Sequence, residues 1–147
     1  MKNKWIALLI GGFFFFFGCA KEPEYVSTTE NELIRLVNNE RTKAGVAPLE
    51  MDLSLMQSCK IRAEEITIQF SHERPNGVSC FSVIAFESKA SGENIARGQA
   101  DASSVMASWM NSEGHRKNIL NPNFTHIGVG YTLNNNTTYW VQLFVKK

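Results

Sequence analysis

Apolar side chains recur at helical spacing twice in the first half of the chain and alternate with polar ones in its last quarter. This change of period predicts helices first and a β-hairpin last. Thr29 with Glu32 forms a capping-box pattern, and Leu33, Leu36, Val37 and Ala44 then follow one face until Gly45 and Pro48 stop it, predicting a helix over Glu30 to Ala44. A second series, Leu55, Cys59, Ala63, Ile66 and Phe70, predicts a helix from about Leu53 to Phe70. Its charged residues Lys60, Glu64 and Glu65 are expected on a solvated face. His72 is then expected at a helix C-terminus, where the macrodipole favours imidazolium, with Glu73 to Gly77 a loop marked by Pro75 and Asn76-Gly77.

The middle of the chain has weaker periodicity. Gly92-Glu93-Asn94 shows no helical repeat and is expected as a loop entering a short strand. Asp101 caps a predicted helix over Ala102 to Met110, and Ser112 begins another, carrying His115 and ending before Asn121-Pro122. Ile127, Val129, Tyr131 and Leu133 alternate with His126, Gly128, Gly130 and Thr132, and a second strand runs from Thr138 to Val145 after three asparagines. Gly128 and Gly130 share a strand face and would let a neighbouring element approach closely. His126, on that same alternation, is expected to face solvent. The Asn135 and Asn136 sequons are explained by turn formation.

The N-terminus adds a destination. Lys2 and Lys4 precede an apolar run from Trp5 to Phe17, shorter than the roughly 20 residues of a membrane-spanning helix and matching a secretory signal. Phe16-Phe17-Gly18-Cys19 resembles a bacterial lipobox with Phe16 in the usual leucine position. The expectation is a signal peptide over 1–18, lipidation at Cys19, a polar tether over 19–28 and one domain over 29–147. Cleavage near Ala20 or an uncleaved anchor are the other outcomes. With 15 basic and 14 acidic side chains, the chain has neither the footprint of a nucleic-acid binder nor a polybasic membrane patch. The expected link to a membrane is therefore the lipid, and the expected location is the bacterial envelope or cell surface. An oxidising compartment permits a Cys59–Cys80 disulfide, while burial of two free thiols fits the same sequence.

The candidate chemistry rests on His72, Glu93 and His115. Two imidazoles and a carboxylate are the residue types of a zinc site or of a general acid-base pair, and equally of a hydrogen-bond network that ties loops together. No His-Glu-x-x-His, Cys-x-x-Cys, Gly-x-Ser-x-Gly or glycine-rich phosphate loop is present.

The motifs around these residues narrow the choice. Ser71-His72-x-Arg74-Pro75-Asn76-Gly77, Gly92-Glu93-Asn94-Ile95-Ala96, Trp109-Met110-Asn111-Ser112-x-Gly114-His115-Arg116 and Ile127-Gly128-Val129-Gly130 resemble, in order, the bacterial branch of the CAP superfamily. This is the family of cysteine-rich secretory, antigen 5 and pathogenesis-related proteins, or SCP domain. The resemblance implies an α+β fold, a three-layer α-β-α sandwich with a small antiparallel central sheet. It implies a cleft with two histidines, His72 and His115, and a first acid, Glu93. The position of the second acid falls on Ser112, with Glu113 beside it as the neighbouring acid that could swing into the cleft and complete the family's tetrad. The resemblance further implies that His72 and His115 can hold a divalent ion such as zinc, with no required cofactor, and that other surfaces can take sterols or fatty acids. The expected function is an exported, lipid-anchored, non-enzymatic module that binds a metal or an unknown small-molecule, lipid or protein ligand. A metal-dependent hydrolase using the same three residues is the alternative, a structural envelope protein the second alternative. A nucleophilic Ser71 or Ser112 ranks last, because each has a helix-terminus explanation.

Overall fold

The computed structural model describes residues 28–147; the expected signal peptide, lipidation at Cys19 and all of the expected tether but Thr28 lie outside the described residues. Helix α1 (Thr28–Lys43) buries Leu33, Ile34 and Val37. It ends in a Schellman motif: Gly45 takes φ 72°, the Val46 amide returns to the Arg41 carbonyl at 2.8 Å and the Gly45 amide to Thr42 at 3.0 Å. The Arg41 guanidinium, fully buried, donates to the carbonyls of Ala47, Ile119 and Asn121 at 2.7 to 2.9 Å, fastening α1 to the loop before the hairpin.

Strand β1 (Glu50–Met51) leads directly into α2 (Leu53–Ile68), whose first turn is capped by the Asp52 carboxylate accepting from the Leu55 amide at 2.9 Å. A 3-10 turn over Cys80–Val83 precedes β2 (Ala90–Arg97). Helix α3 (Ala102–Asn111) opens on a capping box between Asp101 and Ser104, and α4 (Glu113–Ile119) follows with Ser112 at its N-cap. Strands β3 (His126–Asn134) and β4 (Thr137–Lys146) form the hairpin. Its two-residue turn places Asn135 and Asn136 at φ 47° and 63°, the left-handed pair that matches strand twist and that asparagine tolerates.

The sheet order is β1-β3-β4-β2. Three strands are antiparallel neighbours, as expected, but β1 pairs in parallel with β3 through Glu50 and His126, so the sheet is mixed. Beyond that short pairing the outer edge of β3 is covered by Met56, whose sulfur accepts from the Val129 amide at 3.1 Å.

Alternation along β4 divides the core into two. Trp140 and Phe144 point into a layer built by α1, α3 and α4, together with Ile127 and Val129 of β3. Val141, Leu143 and Val145 point the other way, against Leu55, Cys59, Ala63 and Ile66 of α2. The result is helix, sheet, helix in three layers. Gly128 and Gly130 set the spacing on the α2 side. A Cβ at Gly130 would come within 2.5 Å of the Cys59 carbonyl carbon, and one at Gly128 within 2.5 Å of that of Leu55, so α2 packs backbone against backbone there.

Two expectations change, and one open alternative, that of the cysteines, is resolved. Gly92-Glu93-Asn94 is the interior of the eight-residue edge strand β2, paired along its whole length with β4, and not a loop. Helix α2 stops at Ile68, four residues before His72, so no helix end underlies that histidine. Cys59 and Cys80 are both free, buried thiols and form no disulfide.

Candidate functional site

Strand β2 sends consecutive side chains to opposite faces of the sheet. Glu93 shares its face with Ile95 and points toward α2, where its carboxylate is almost wholly buried. Burial alone would force this group toward its neutral form. Instead, Arg62 Nε donates to Oε1 at 2.8 Å and His72 Nδ1 lies 2.7 Å from Oε2. These bonds outweigh the burial and hold the Glu93 carboxyl below the usual carboxylate range.

Arg62 is the centre of a chain of charges. It also donates to Glu65 Oε2 and to the Ser71 carbonyl, each at 2.8 Å, and Glu65 in turn binds Arg74 at 2.6 Å. Glu65 is thus a structural partner and not part of a free solvated face. Residues 72 to 80 form a clip: the Arg74 carbonyl accepts from the Gly77 amide and the Arg74 amide donates to the Val78 carbonyl, Glu73 bridges to Ser79, and the Cys80 amide donates to the His72 carbonyl at 3.1 Å. The clip therefore sets His72 and Cys80 side by side next to β2. Ser71 Oγ accepts from the Glu73 amide at 3.0 Å, which gives it a structural task in this turn.

His72 is the exposed member, with 60 % of its side chain open to solvent. Its hydrogen bond to Glu93 raises its pKa, with some opposition from burial and from Arg62. Bonding at Nδ1 leaves Nε2 free for a ligand or a proton. Cys80, only 3 % exposed, faces the same carboxylate; burial and the negative charge of Glu93 push its thiol up to about 12.

Asn94 occupies the opposite face. Its Nδ2 donates to the His115 carbonyl at 3.2 Å and to Gln142 Oε1 at 3.1 Å, and its Oδ1 accepts from Asn118 at 2.9 Å. Asn118 also donates to the Glu93 carbonyl at 3.1 Å, so α4 is fastened to β2 by its second half. His115 consequently stands at the rim, half-buried, with its ring 6.4 Å from that of Trp109. Burial lowers its pKa, and the charge of His72 lowers it further. The two histidines flank one strand, and the charge of His72 reaches His115.

A cleft of about 370 Å³ opens beside His72 and Glu93, walled also by Ser79, Cys80, Phe81, Gly92 and Asn118; His115 is not part of its lining, so the structure brings His72 and Glu93 together there but not His115. A Cβ at Gly92 would meet the Phe124 ring at 2.9 Å, so glycine there lets the floor pack down. Ser112 caps α4 without a side-chain bond, and Glu113 is exposed in its first turn. His126 lies outside the cleft; it is not solvent-facing but largely covered, with Nδ1 at 2.7 Å from Thr125 Oγ1 and Nε2 at 3.5 Å from Glu50.

Among the described residues, one group of three side chains has the composition and proximity to hold a metal ion: His72, Cys80 and Glu93, with ligand atoms within 4.8 Å of one another. Cys80 was not legible as a site residue. The separation of eight positions between His72 and Cys80 resembles no ligand spacing, and only the clip brings them together.

Comparison with known proteins agrees with this architecture. The cysteine-rich secretory protein family, CAP, matches residues 34–144. The Bacillus subtilis protein YkwD is 43% identical over 130 residues, 85% of this chain and 50% of that protein, so the chain spans about half its relative's length. An extracellular protein of Bacillus anthracis containing an SCP domain superposes with a TM-score of 0.73 at 28% identity, over 81% of this chain and 40% of that one. A crystal structure of NaASP2 with Zn2+ shares the fold alone, at TM-score 0.62 and 14% identity, covering 79% of this chain and 78% of that one.

Proposed function

Starting from the premise that this chain belongs to the cysteine-rich secretory protein (CAP) family, we propose that it is an exported binding module. Its cleft, lined by His72 and Glu93 with His115 outside the lining, takes a small ligand or a divalent metal without turning it over. The observation that carries this is the state of Glu93. Both of its oxygens are engaged, one by Arg62 at 2.8 Å and one by His72 at 2.7 Å, and its pKa is held low. A carboxylate so committed is a poor proton acceptor for a reacting water, whereas it is well suited to orienting an imidazole or joining a cation's ligands. Zinc in NaASP2, which shares the fold, is consistent with a metal as occupant.

The extracellular B. anthracis relative supports export, and lipidation of Cys19 would then hold the domain at the membrane through a short tether. Incorporation of labelled palmitate into the full chain, abolished by Cys19→Ala, is the expected result; label that persists in the variant removes the anchor from the proposal.

One feature favours hydrolysis instead: a carboxylate on Nδ1 leaves His72 Nε2 oriented as a general base or metal ligand. A screen of peptide and ester substrates separates the two. We expect no turnover by the purified protein, together with a calorimetric response to Zn2+ that His72→Ala removes. Turnover that His72→Ala and His115→Ala both abolish, with the fold intact, would make the protein a hydrolase.

A further inference from the structure

We infer that this chain holds its metal through His72, Cys80 and Glu93, with the Cys80 thiolate selecting a thiophilic divalent ion such as Zn2+. The inference rests on the cleft taking a metal, and it assigns the ligands differently from a pair of histidines.

The geometry is built from two sides. The clip over residues 72 to 80 is closed by the Cys80 amide on the His72 carbonyl at 3.1 Å and by the Glu73–Ser79 bridge, so its two ends present one imidazole and one thiol to the same point. The edge strand β2 brings the third group, and Arg62 determines which oxygen of it is available. Arg62 Nε holds Oε1 at 2.8 Å, leaving Oε2 facing His72 at 2.7 Å. A cation entering between Oε2, the His72 ring and the Cys80 sulfur would displace a proton and keep Arg62 as the outer partner that orients the carboxylate.

The distances fit. Tetrahedral zinc, with bonds of about 2.0 Å to nitrogen and oxygen and about 2.3 Å to sulfur, needs ligand atoms roughly 3.3 to 3.6 Å apart. The three atoms lie within 4.8 Å of one another, and a shift of about 1 Å in the exposed His72 ring, exchanging its bond to Oε2 for the metal, would bring them to that spacing. The chemistry also selects. One sulfur, one nitrogen and one oxygen suit zinc and other borderline ions, while magnesium and calcium require oxygen ligands. The wall of the cleft at Gly92 and Asn118 leaves the fourth position open to water or ligand.

His115 lies on the other helix layer and is absent from this group.

The test uses the full chain under reductant, titrated with Zn2+ by calorimetry and with Co2+ by absorption. The expected result is stoichiometric binding with a near-ultraviolet sulfur-to-cobalt charge-transfer band, and zinc protection of Cys80 from alkylation. Cys80→Ser and Cys80→Ala, each checked for folding by circular dichroism, should lose the band and weaken zinc by at least about tenfold, while Cys59→Ala, on the buried face of α2, keeps both. Zinc bound equally well by both Cys80 variants and lost in His115→Ala overturns the inference yet leaves a metal-binding cleft. Zinc ignored by the wild type overturns the inference and the metal component of the proposed function together.

Discussion

Glu93 and Asn94 are neighbours on one strand, but they solve the problem of a buried polar side chain in opposite ways. Glu93 enters the α2 layer as a charge and is neutralised by Arg62, itself fully buried, and by His72. Asn94 enters the α4 layer as a neutral amide and is satisfied by Gln142, Asn118 and a backbone carbonyl. A neutral network loses only hydrogen bonds when a member is removed. A charged one loses its compensation, and the remaining ion keeps its desolvation cost. The two sides of β2 should therefore respond very differently to the same truncation.

The largest difference is expected from Glu93→Ala. Removing one partner of a buried ion pair costs about 3–5 kcal/mol, and because Glu65 still holds Arg62 the value should fall near the lower end, about 3 kcal/mol. Urea unfolding at neutral pH measures it. Adding Arg62→Met in the same chain should restore much of the loss, since an apolar side chain has no charge to strand; failure to restore it would mean that Arg62 acts by packing.

Next comes Gly130→Ala. The obstacle to the new Cβ is the Cys59 backbone of α2, which cannot rotate away as a side chain would. Overpacking of this kind costs about 1–3 kcal/mol, here at the upper end, and should loosen α2 as a unit, visible as faster hydrogen exchange along Leu55 to Ile66. Loosening of α1 and α3 instead would show that the two layers are coupled and not independently packed.

Asn94→Ala is expected to cost less, about 2 kcal/mol, for the amide bonds lost and for the Gln142 side chain left without its partner. It should also release the His115 carbonyl and shift the Trp109 environment, read by fluorescence. A cost equal to that of Glu93→Ala would erase the contrast between the two faces.

How much of this was legible in the sequence follows from the range of the forces involved. The helices and the hairpin were, because their apolar periods and caps are local: Asp101 with Ser104, Gly45 with Pro48, Asn135 with Asn136. Strand β2 was not, because Ala90-Ser91-Gly92-Glu93-Asn94 has little strand propensity and becomes a strand only by pairing with β4. The parallel β1 escaped for the same reason. At the site, His72, Glu93 and His115 followed from motifs. The Glu93–His72 bond, the Arg62 charge beneath it and the approach of Cys80 are products of tertiary packing between elements up to 31 residues apart. Arg62 had a sequence signal after all, since it interrupts the buried stripe of α2 and a cation there requires a partner.

The smallest expected effect tests the contrast at the histidines themselves. His72 is raised by its bond to Glu93, and His115 is lowered by burial and by the charge of His72. On raising the pH, His115 should therefore release its proton first, and ring resonances in a two-dimensional NMR titration would order them. The linkage runs in opposite directions. A raised histidine stabilises the fold fully below the unfolded value of about 6.5 and loses that contribution as pH rises through its folded pKa. A lowered one costs stability as pH falls from about 6.5 through its folded pKa, and costs nothing above. His115 acts below about 6.5 and His72 above it, so the wild type should be most stable near that pH and lose stability on either side. His72→Gln should gain stability with rising pH relative to wild type, since only the His115 slope remains, and His115→Gln should lose it. Parallel slopes in the two variants would mean that both rings see the same electrostatic surroundings, and that the charged and neutral faces of β2 merge into one site at its rim.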